Sequence, residues 1–254
     1  MENVTTATIK LVNSLAQKKY RTEAGLFVAE GNKCVRDTWG HFRCRMLIAT
    51  RRWYEQHATA ETYDIMHIAE MRQMARMSQF STPSEVMAVY ELPHYDLKPA
   101  DVKGRLTIAL DTIQDPGNLG TIIRIADWFG ISDIVCSAET VDAFGHKVIQ
   151  ATMGAISRVR VHYVDLAEWL ESVPGISVIG TYLDGDSLYS ANLPEEAIVL
   201  FGNEGRGISP KLAKYVTQRA KIPPYPAGVA TSESLNVGVS VAITISEMRR
   251  RIIL

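Results

Sequence analysis

Cysteine is scarce and unpatterned. Cys34, Cys44 and Cys136 are three in 254 residues, an odd number with neither metal-ligand spacing nor the layout of a disulfide framework. A disulfide scaffold and a cysteine metal centre are thereby excluded, and the expected compartment is the reducing cytoplasm. No apolar run approaches the ~18–20 residues that cross a bilayer. The opening "MENVTTATIKLVNSLAQKKY" has no apolar stretch ending in a small-residue cleavage site, so secretion is not expected. Neither sign of charge dominates, the net charge being −1, which gives no general pull toward nucleic acid. Internal repeats and low-complexity tracts are missing too. What is there is an ordinary globular composition, 46% hydrophobic and 22% charged, long enough for one large domain or two modest ones.

The two halves differ in charge. Through Tyr95 there are 12 Lys+Arg against 10 Asp+Glu, and from Asp96 onward 15 against 18. The basic residues of the first half cluster as Lys18, Lys19 and Arg21, then Arg43, Arg45, Arg51 and Arg52. Such clusters can meet phosphates; they can equally form a solvated charged surface. From Pro93 to Gly104 the chain reads "PHYDLKPADVKG", a composition that suits an exposed linker. The expected division is 1–96, a linker at 97–104, and 105–254.

Before the linker, residues 6–18 have near-helical apolar spacing. "LFVAEG", "RMLIAT" and "EVMAVYEL" read as strands, with "NKCVRDTW" and "MRQMARM" as helices. After it, "LTIALDTI", "DIVCS", "RVRVHYV", "SVIGTYL" and "AIVLFG" read as strands. Helices are expected at Asn118 to Phe129, "HKVIQATMGA" and "DLAEWLES". Apolar strands alternating with helices predict an α/β fold with a mostly parallel sheet covered on both faces. Ligands of such sheets sit in the loops that follow the strands.

Three of those loops are unusual. In "LDTIQDPGNLGTIIRIADWFG", Asp115-Pro116-Gly117-Asn118 is a tight turn, with Asn118 suited to cap the next helix. Leu119, Ile122, Ile123, Ala126 and Phe129 share one helix face, and Arg124 lies nearly opposite with Thr121 and Trp128. That outer face can meet solvent, a ligand or a second subunit. In "IVLFGNEGRGIS", Gly202, Gly205 and Gly207 let backbone approach a ligand closely, and Glu204 offers an acceptor. No Gly-Lys-Ser/Thr closes this loop, and the glycine order is the reverse of the dinucleotide fingerprint, so ATP and NAD are poorly supported. In "IPPYPAGVATSESLNVGVSVAITISE", Ser234, Leu235 and Asn236 open a long apolar run. Its alternation from Leu235 to Ile245 is strand-like, but its length and basic end predict a buried helix, with Ser234 as its N-cap.

Together the three loops resemble the signature of the SpoU/TrmH family of SPOUT RNA 2′-O-ribose methyltransferases. The first is similar to "LDxVxDPxNxGxIxRxAxxFG", the second to "GxEGxG" at Gly202 to Gly207, and the third to "IP…SLNVxVAxxI…E" from Ile222 through Glu247. The opening "IKLVNSLAQKKYRTEAGLFVAEGNKCV" resembles the family's substrate-binding domain, itself similar to ribosomal proteins of the L30e type. The resemblance implies a C-terminal α/β domain with a deep trefoil knot and a mostly parallel sheet, behind a small N-terminal α/β RNA-binding domain. It implies S-adenosylmethionine as methyl donor, no metal, RNA (ribosomal or transfer) as partner, and a homodimer joined through the C-terminal domain. By position, Asn118, Arg124, Glu204, Ser234 and Asn236 match the functional polar residues. Gly202, Ile222 and Leu235 match positions lining the methyl-donor pocket. The spacer between Pro223 and Ser234 is longer than in familiar members, which bears on the shape of that pocket. The rival expectation is a non-catalytic RNA-binding protein that keeps the fold.

Overall fold

The computed structural model describes residues 2–57, 62–226, 228–229 and 232–253, with the backbone alone at Ile253. In chain order the elements are β1 (Glu2–Asn3), α1 (Thr6–Ser14), α2 (Lys18–Ala24), β2 (Leu26–Glu30), α3 (Asn32–Thr38), β3 (Cys44–Ala49), α4 (Arg51–His57), β4 (Tyr63–Ile68), α5 (Met71–Met77) and β5 (Val86–Glu91). Then follow β6 (Leu106–Leu110), α6 (Pro116–Trp128), β7 (Asp133–Ser137), α7 (His146–Thr152), β8 (Arg160–Val164) and α8 (Leu166–Ser172). The last are β9 (Ser177–Ser187), β10 (Ala197–Phe201), α9 (Pro210–Ala213), β11 (Gln218–Lys221) and α10 (Val237–Ile253). They form two compact units, Met1–His94 with Asp142–Arg158, and Tyr95–Val141 with Val159–Leu254.

Among the described residues, the first unit holds a mixed sheet in the order β1-β4-β3-β5-β2. β4 runs parallel to β1 and β3, whereas β5 is antiparallel to both β3 and β2. The helix expected over 6–18 is shorter: Thr5 caps α1 by accepting the Thr8 N–H at 3.1 Å, that helix ends at Ser14, and α2 begins at Lys18. β4 and α4 had no clear period to betray them. Residues 142–158, within the stretch expected as the C-terminal domain, pack with this unit. Phe144 lies 4.9 Å from Phe27, centroid to centroid. Asp142 Oδ2 accepts from Arg21 Nε at 3.0 Å and Nη2 at 2.6 Å. Arg21 is buried and its Nη1 also donates to the carbonyls of Leu15 and Ala16 at 2.7 and 2.9 Å.

The second unit is built on a six-stranded sheet in the order β11-β9-β10-β6-β7-β8, every pairing parallel. All residues of β6, β7 and β10 are buried, as expected for strands covered on both faces. β11 went unseen in the sequence because "QRAK" carries a single apolar residue, Ala220. Leu97 and Val102, from the stretch expected as a linker, pack into this unit's core. At the start of β7 a buried Asp133 binds Arg160 at 2.8 and 2.7 Å and His162 Nε2 at 2.8 Å. Burial opposes its charge, but those hydrogen bonds outweigh burial and hold its carboxyl below the usual range.

The strand-like alternation after Leu235 resolves as helix. Val237, Val241, Ile245 and Met248 are buried at helical spacing, and α10 packs along α6. A Cβ on Gly238 would stand 3.3 Å from Thr121 Cγ2, so glycine permits the close approach. At the far end Arg249 Nε donates to the Phe129 carbonyl at 2.9 Å, satisfying a group that the end of α6 leaves open.

Candidate active site

Three loops leave the carboxyl ends of β6, β10 and β11, and β6 and β10 are neighbours in the sheet. The first begins with Asp111, buried at the strand end, whose Oδ2 accepts the Ser209 N–H at 2.7 Å from the second loop. Thr112 follows in the left-handed region at φ 60°, a costly conformation for a β-branched residue. Three bonds hold it there. Its N–H donates to Ser137 Oγ at 3.0 Å, its hydroxyl to Asp111 Oδ1 at 3.0 Å, and its carbonyl accepts from Asn203 Nδ2 at 2.9 Å.

The helix cap differs from expectation. Asp115, not Asn118, caps α6, its Oδ1 accepting the Asn118 N–H at 2.8 Å. Asn118 therefore sits in the first turn with its side chain free to reach outward. Its Nδ2 donates to Glu204 Oε1 in the second loop. Its Oδ1 accepts from Asn236 Nδ2 at 2.9 Å in the third. Ser234 is not the N-cap of α10 either. Asn236 takes that role, its Oδ1 accepting the Val239 N–H at 3.2 Å and its carbonyl the Ser240 N–H at 2.9 Å. Glu204, Asn118 and Asn236 thus form one hydrogen-bonded chain linking all three loops.

The second loop is closed on itself. Asn203 Oδ1 accepts from the Gly205 and Arg206 N–H groups at 3.0 and 3.2 Å, and Asn203 and Gly207 exchange backbone bonds of 3.0 and 2.7 Å. Those amides are consumed within the loop, so it does not cradle phosphates as a P-loop does. A Cβ on Gly202 would run into the Gly207 carbonyl and Ile208 N–H, so this position is fixed as glycine by its own turn.

Of the eight residues expected here, hydrogen bonds join Asn118, Glu204 and Asn236, and Gly202 begins the same second loop. Leu235 is 45% exposed, Ile222 is half-buried, and Ser234 is exposed. Within the longer spacer, Ala227, Ala230 and Thr231 lie outside the described residues. Arg124 is exposed on the outer face of α6, six residues on from Asn118, about 9 Å along the helix axis and a third of a turn around it. Among the described residues it has no acidic partner, and Trp128, one turn further, is 84% exposed. Asp111 and Asn203 were not singled out in the sequence. An Asn just after a strand and within a glycine-rich loop is the signal that exposes such a turn-former, because its side chain bonds backbone two residues on.

An all-parallel α/β unit with three strand-end loops tied by side-chain amides and a carboxylate defines a ligand-binding site of the strand-end class. Residues 105–246 match the SpoU rRNA Methylase family, and residues 6–88 match the MRM3-like substrate binding domain. The chain belongs to the SpoU rRNA methylase family. It is similar over 252 residues, at 28% identity and 98% of each chain, to the 23S rRNA (guanosine(2553)-2′-O)-methyltransferase RlmP of Bacillus subtilis. Among solved structures it is similar to a protein assigned to the TrmH family of RNA methyltransferases from Porphyromonas gingivalis. There the TM-score is 0.88 and the identity 40%, over 98% of this chain and 99% of that one. An AdoMet-bound rRNA methyltransferase from Sinorhizobium meliloti gives a TM-score of 0.85 at 27% identity, over 99% of this chain and 97% of that one.

Proposed function

We propose that this chain is an S-adenosylmethionine-dependent RNA methyltransferase that methylates a ribose 2′-hydroxyl, with ribosomal RNA as its substrate. The observation that carries the reading is the Glu204–Asn118–Asn236 chain, formed by residues from all three loops of a family member. Support comes also from the relatives, one named a 23S rRNA 2′-O-methyltransferase and one solved with AdoMet.

The donor fits the residues present. It is a cation with an apolar, aromatic base, and the three loops offer the exposed carboxylate of Glu204, the exposed Leu235 and the half-buried Ile222. Gly202, Ile222 and Leu235 would hold it through backbone and apolar contact. When bound, it supplies a methyl group on a positively charged sulfur.

The protein's part is orientation and electrostatics. A ribose hydroxyl attacks well only when its proton leaves or its growing negative charge is balanced. A guanidinium is not readily deprotonated in a protein, so an arginine is better suited to bind charge than to act as a base. We assign Arg124 to grip the RNA phosphate and balance the developing alkoxide by charge-assisted hydrogen bonds. Asn118 and Asn236 fix the amide face against which the ribose is set, and Ser234 supplies a hydroxyl near the end of the third loop.

Arg124 stands away from the Asn118 cluster in its own chain, and this supports a homodimer in which α6 and α10 of two copies meet. Trp128 at 84%, Val239 at 47% and Leu235 at 45% exposure are the apolar side chains such a contact would cover. The reading carries with it a cytoplasmic location and the family's knotted chain path.

The test uses labelled S-adenosylmethionine with ribosomal RNA from cells lacking the protein, digested to nucleosides, with Arg124→Ala alongside. Label in a 2′-O-methyl nucleoside, lost in the variant, is expected. Label in a methylated base, or none despite donor binding, would sink the reading.

A further inference from the structure

The first unit contains a cleft of about 690 Å³, open to solvent, that the methyl-transfer site does not use. It is lined from three stretches of the chain: Glu30 to Cys34, Gln79 to Thr82 with Ser84, and Gln150 with Met153. Antiparallel pairing explains the meeting. Glu30 at the end of β2 stands opposite Met87 at the start of β5, so residues after one strand face those before the other.

The walls are fixed. The Glu30 carboxylate accepts from Ser78 Oγ at 2.5 Å and from the Gln79 and Ser84 N–H groups at 3.3 and 3.4 Å. That pins the 78–84 loop and leaves Glu30 buried and occupied. On the other side Gly154 is pressed so closely on Asp37 that a Cβ there would collide with it. Ser157 Oγ also donates to the Asp37 carbonyl at 3.3 Å.

Among the described residues the lining is rich in amides and has no free acid. Asn32, Gln79 and Gln150 are exposed. The Oδ1 of Asn32 already accepts from Trp53 Nε1 at 3.0 Å, so its NH₂ is what it offers a ligand. Asp37 behind the wall is paired with Lys33 at 3.0 Å, whose side chain is 71% exposed. Cys34 lines the cleft, but burial, helped by Asp37, pushes its thiol up to about 12, so it is inert. Met153 is 51% exposed and held at φ 50°, an uncommon backbone for a non-glycine residue. It leaves an adaptable apolar side chain at the rim, with the Phe80 ring on another wall.

We propose that this cleft takes one unpaired nucleotide of the RNA, its base against Phe80 and Met153, its edge met by Asn32, Gln79 and Gln150, and its phosphate near Lys33. Single-stranded bases are recognised by this combination of stacking and side-chain amides. The inference rests on RNA being the substrate and adds an address that a mildly basic surface lacks.

The experiment measures equilibrium binding of in-vitro-transcribed 23S rRNA, together with KM and kcat, for wild type, Gln79→Ala/Gln150→Ala and Met153→Gly. Both glutamines are exposed, so the double variant folds, and an unchanged Tm and donor affinity check this. A rise in RNA Kd and KM of roughly tenfold or more, with kcat kept, is expected from losing two amide contacts. Kd and KM within twofold of wild type would overturn the inference while leaving the enzymatic reading intact. Loss of affinity in the variants of a wild type that transfers no methyl group would overturn the enzymatic reading and support the cleft. A wild type that binds no RNA would overturn the cleft itself.

Discussion

In the second unit every strand of the described sheet runs the same way, so the loops that follow β6, β10 and β11 come out at one end and can be tied together. In the first unit β5 opposes β2, and the cleft is made from the end of one strand, the approach to another, and a helix some sixty residues further along the chain. A parallel sheet concentrates polar chemistry in short, glycine- and proline-marked segments. A mixed sheet disperses it among ordinary polar residues. Arg124 also differs from the clustered arginines of the first unit. Arg124 has no acidic partner among the described residues, whereas Arg43 and Arg45 share Asp64 and Glu91 at 3.1–3.8 Å and Arg21 is locked to Asp142.

The largest effect should come from breaking the first unit at that lock. Arg21→Ala strands a mostly buried carboxylate and frees two carbonyls at the end of α1. We expect a loss of about 3–5 kcal/mol, read as a fall in denaturant midpoint. The alternative role for Arg21, touching RNA phosphate, makes a different forecast. It would lower the salt dependence of RNA binding by about one unit of slope and leave stability alone. A stable Arg21→Ala protein with a reduced slope would erase the contrast between Arg21 and Arg124.

Arg124→Ala comes next and acts the other way. Its side chain is exposed on α6, so thermal stability and donor affinity should hold. The methyl-transfer rate should drop about 10²–10³-fold, as for the loss of a transition-state charge donor. Mixing this variant with Asn118→Ala sharpens the point. Recovered activity in the mixture would place Arg124 in the site of a second copy; none would place it in its own.

The legibility of the two units follows the same division. Asn118 and Glu204 stand out in the sequence because each is next to a glycine in a loop, where backbone demands narrow the residue choice, and Asn236 because it opens the long apolar run. The caps were misread, since Asp115 and Asn118, three residues apart, and Ser234 and Asn236, two apart, are all competent capping residues, and only tertiary partners decide which side chain is free. The joining of α7 to the first unit was not readable, because burial of Phe144 against Phe27 is a long-range contact that leaves no local pattern. Nor were the Lys/Arg clusters, since pairing across strands is invisible until register is known.

A smaller effect is expected from Asn203→Ala. It removes the bonds to the Thr112 carbonyl and to the Gly205 and Arg206 amides. These groups are near solvent, so the cost should be toward the low end of about 1–3 kcal/mol. Loosening of the second loop should appear as weaker donor binding with RNA affinity kept. An unchanged donor Kd would mean that the loop is held by the Asp111–Ser209 bond and the backbone pair of residues 203 and 207 without the Asn203 side chain.

The smallest effect lies where the second unit most resembles the first, in a charge cluster with a purely structural role. Glu247 on α10 takes Arg250 Nε and Nη2 at 2.7 and 2.9 Å and Arg251 Nε at 2.8 Å. Arg251 in turn donates to the carbonyls of Leu188 and Ala191, fastening the end of α10 to the chain beyond β9. Arg250, then Arg251, hold the Glu247 carboxyl at about 2, below its ordinary 4.5. A carboxyl so lowered contributes stability that is complete above pH 4.5 and lost as pH falls through about 2. Glu247→Gln should therefore flatten the stability-versus-pH curve in that window, with little change in its slope near neutrality. The solvated guanidinium of Arg250 keeps the effect small. Acid titration of wild type and variant by circular dichroism reads the difference. Superimposable curves below pH 4.5 would show that the clasp on Leu188 and Ala191 holds through Arg251 without its carboxylate, and that this cluster, unlike Arg21 and Asp142, is dispensable to its unit.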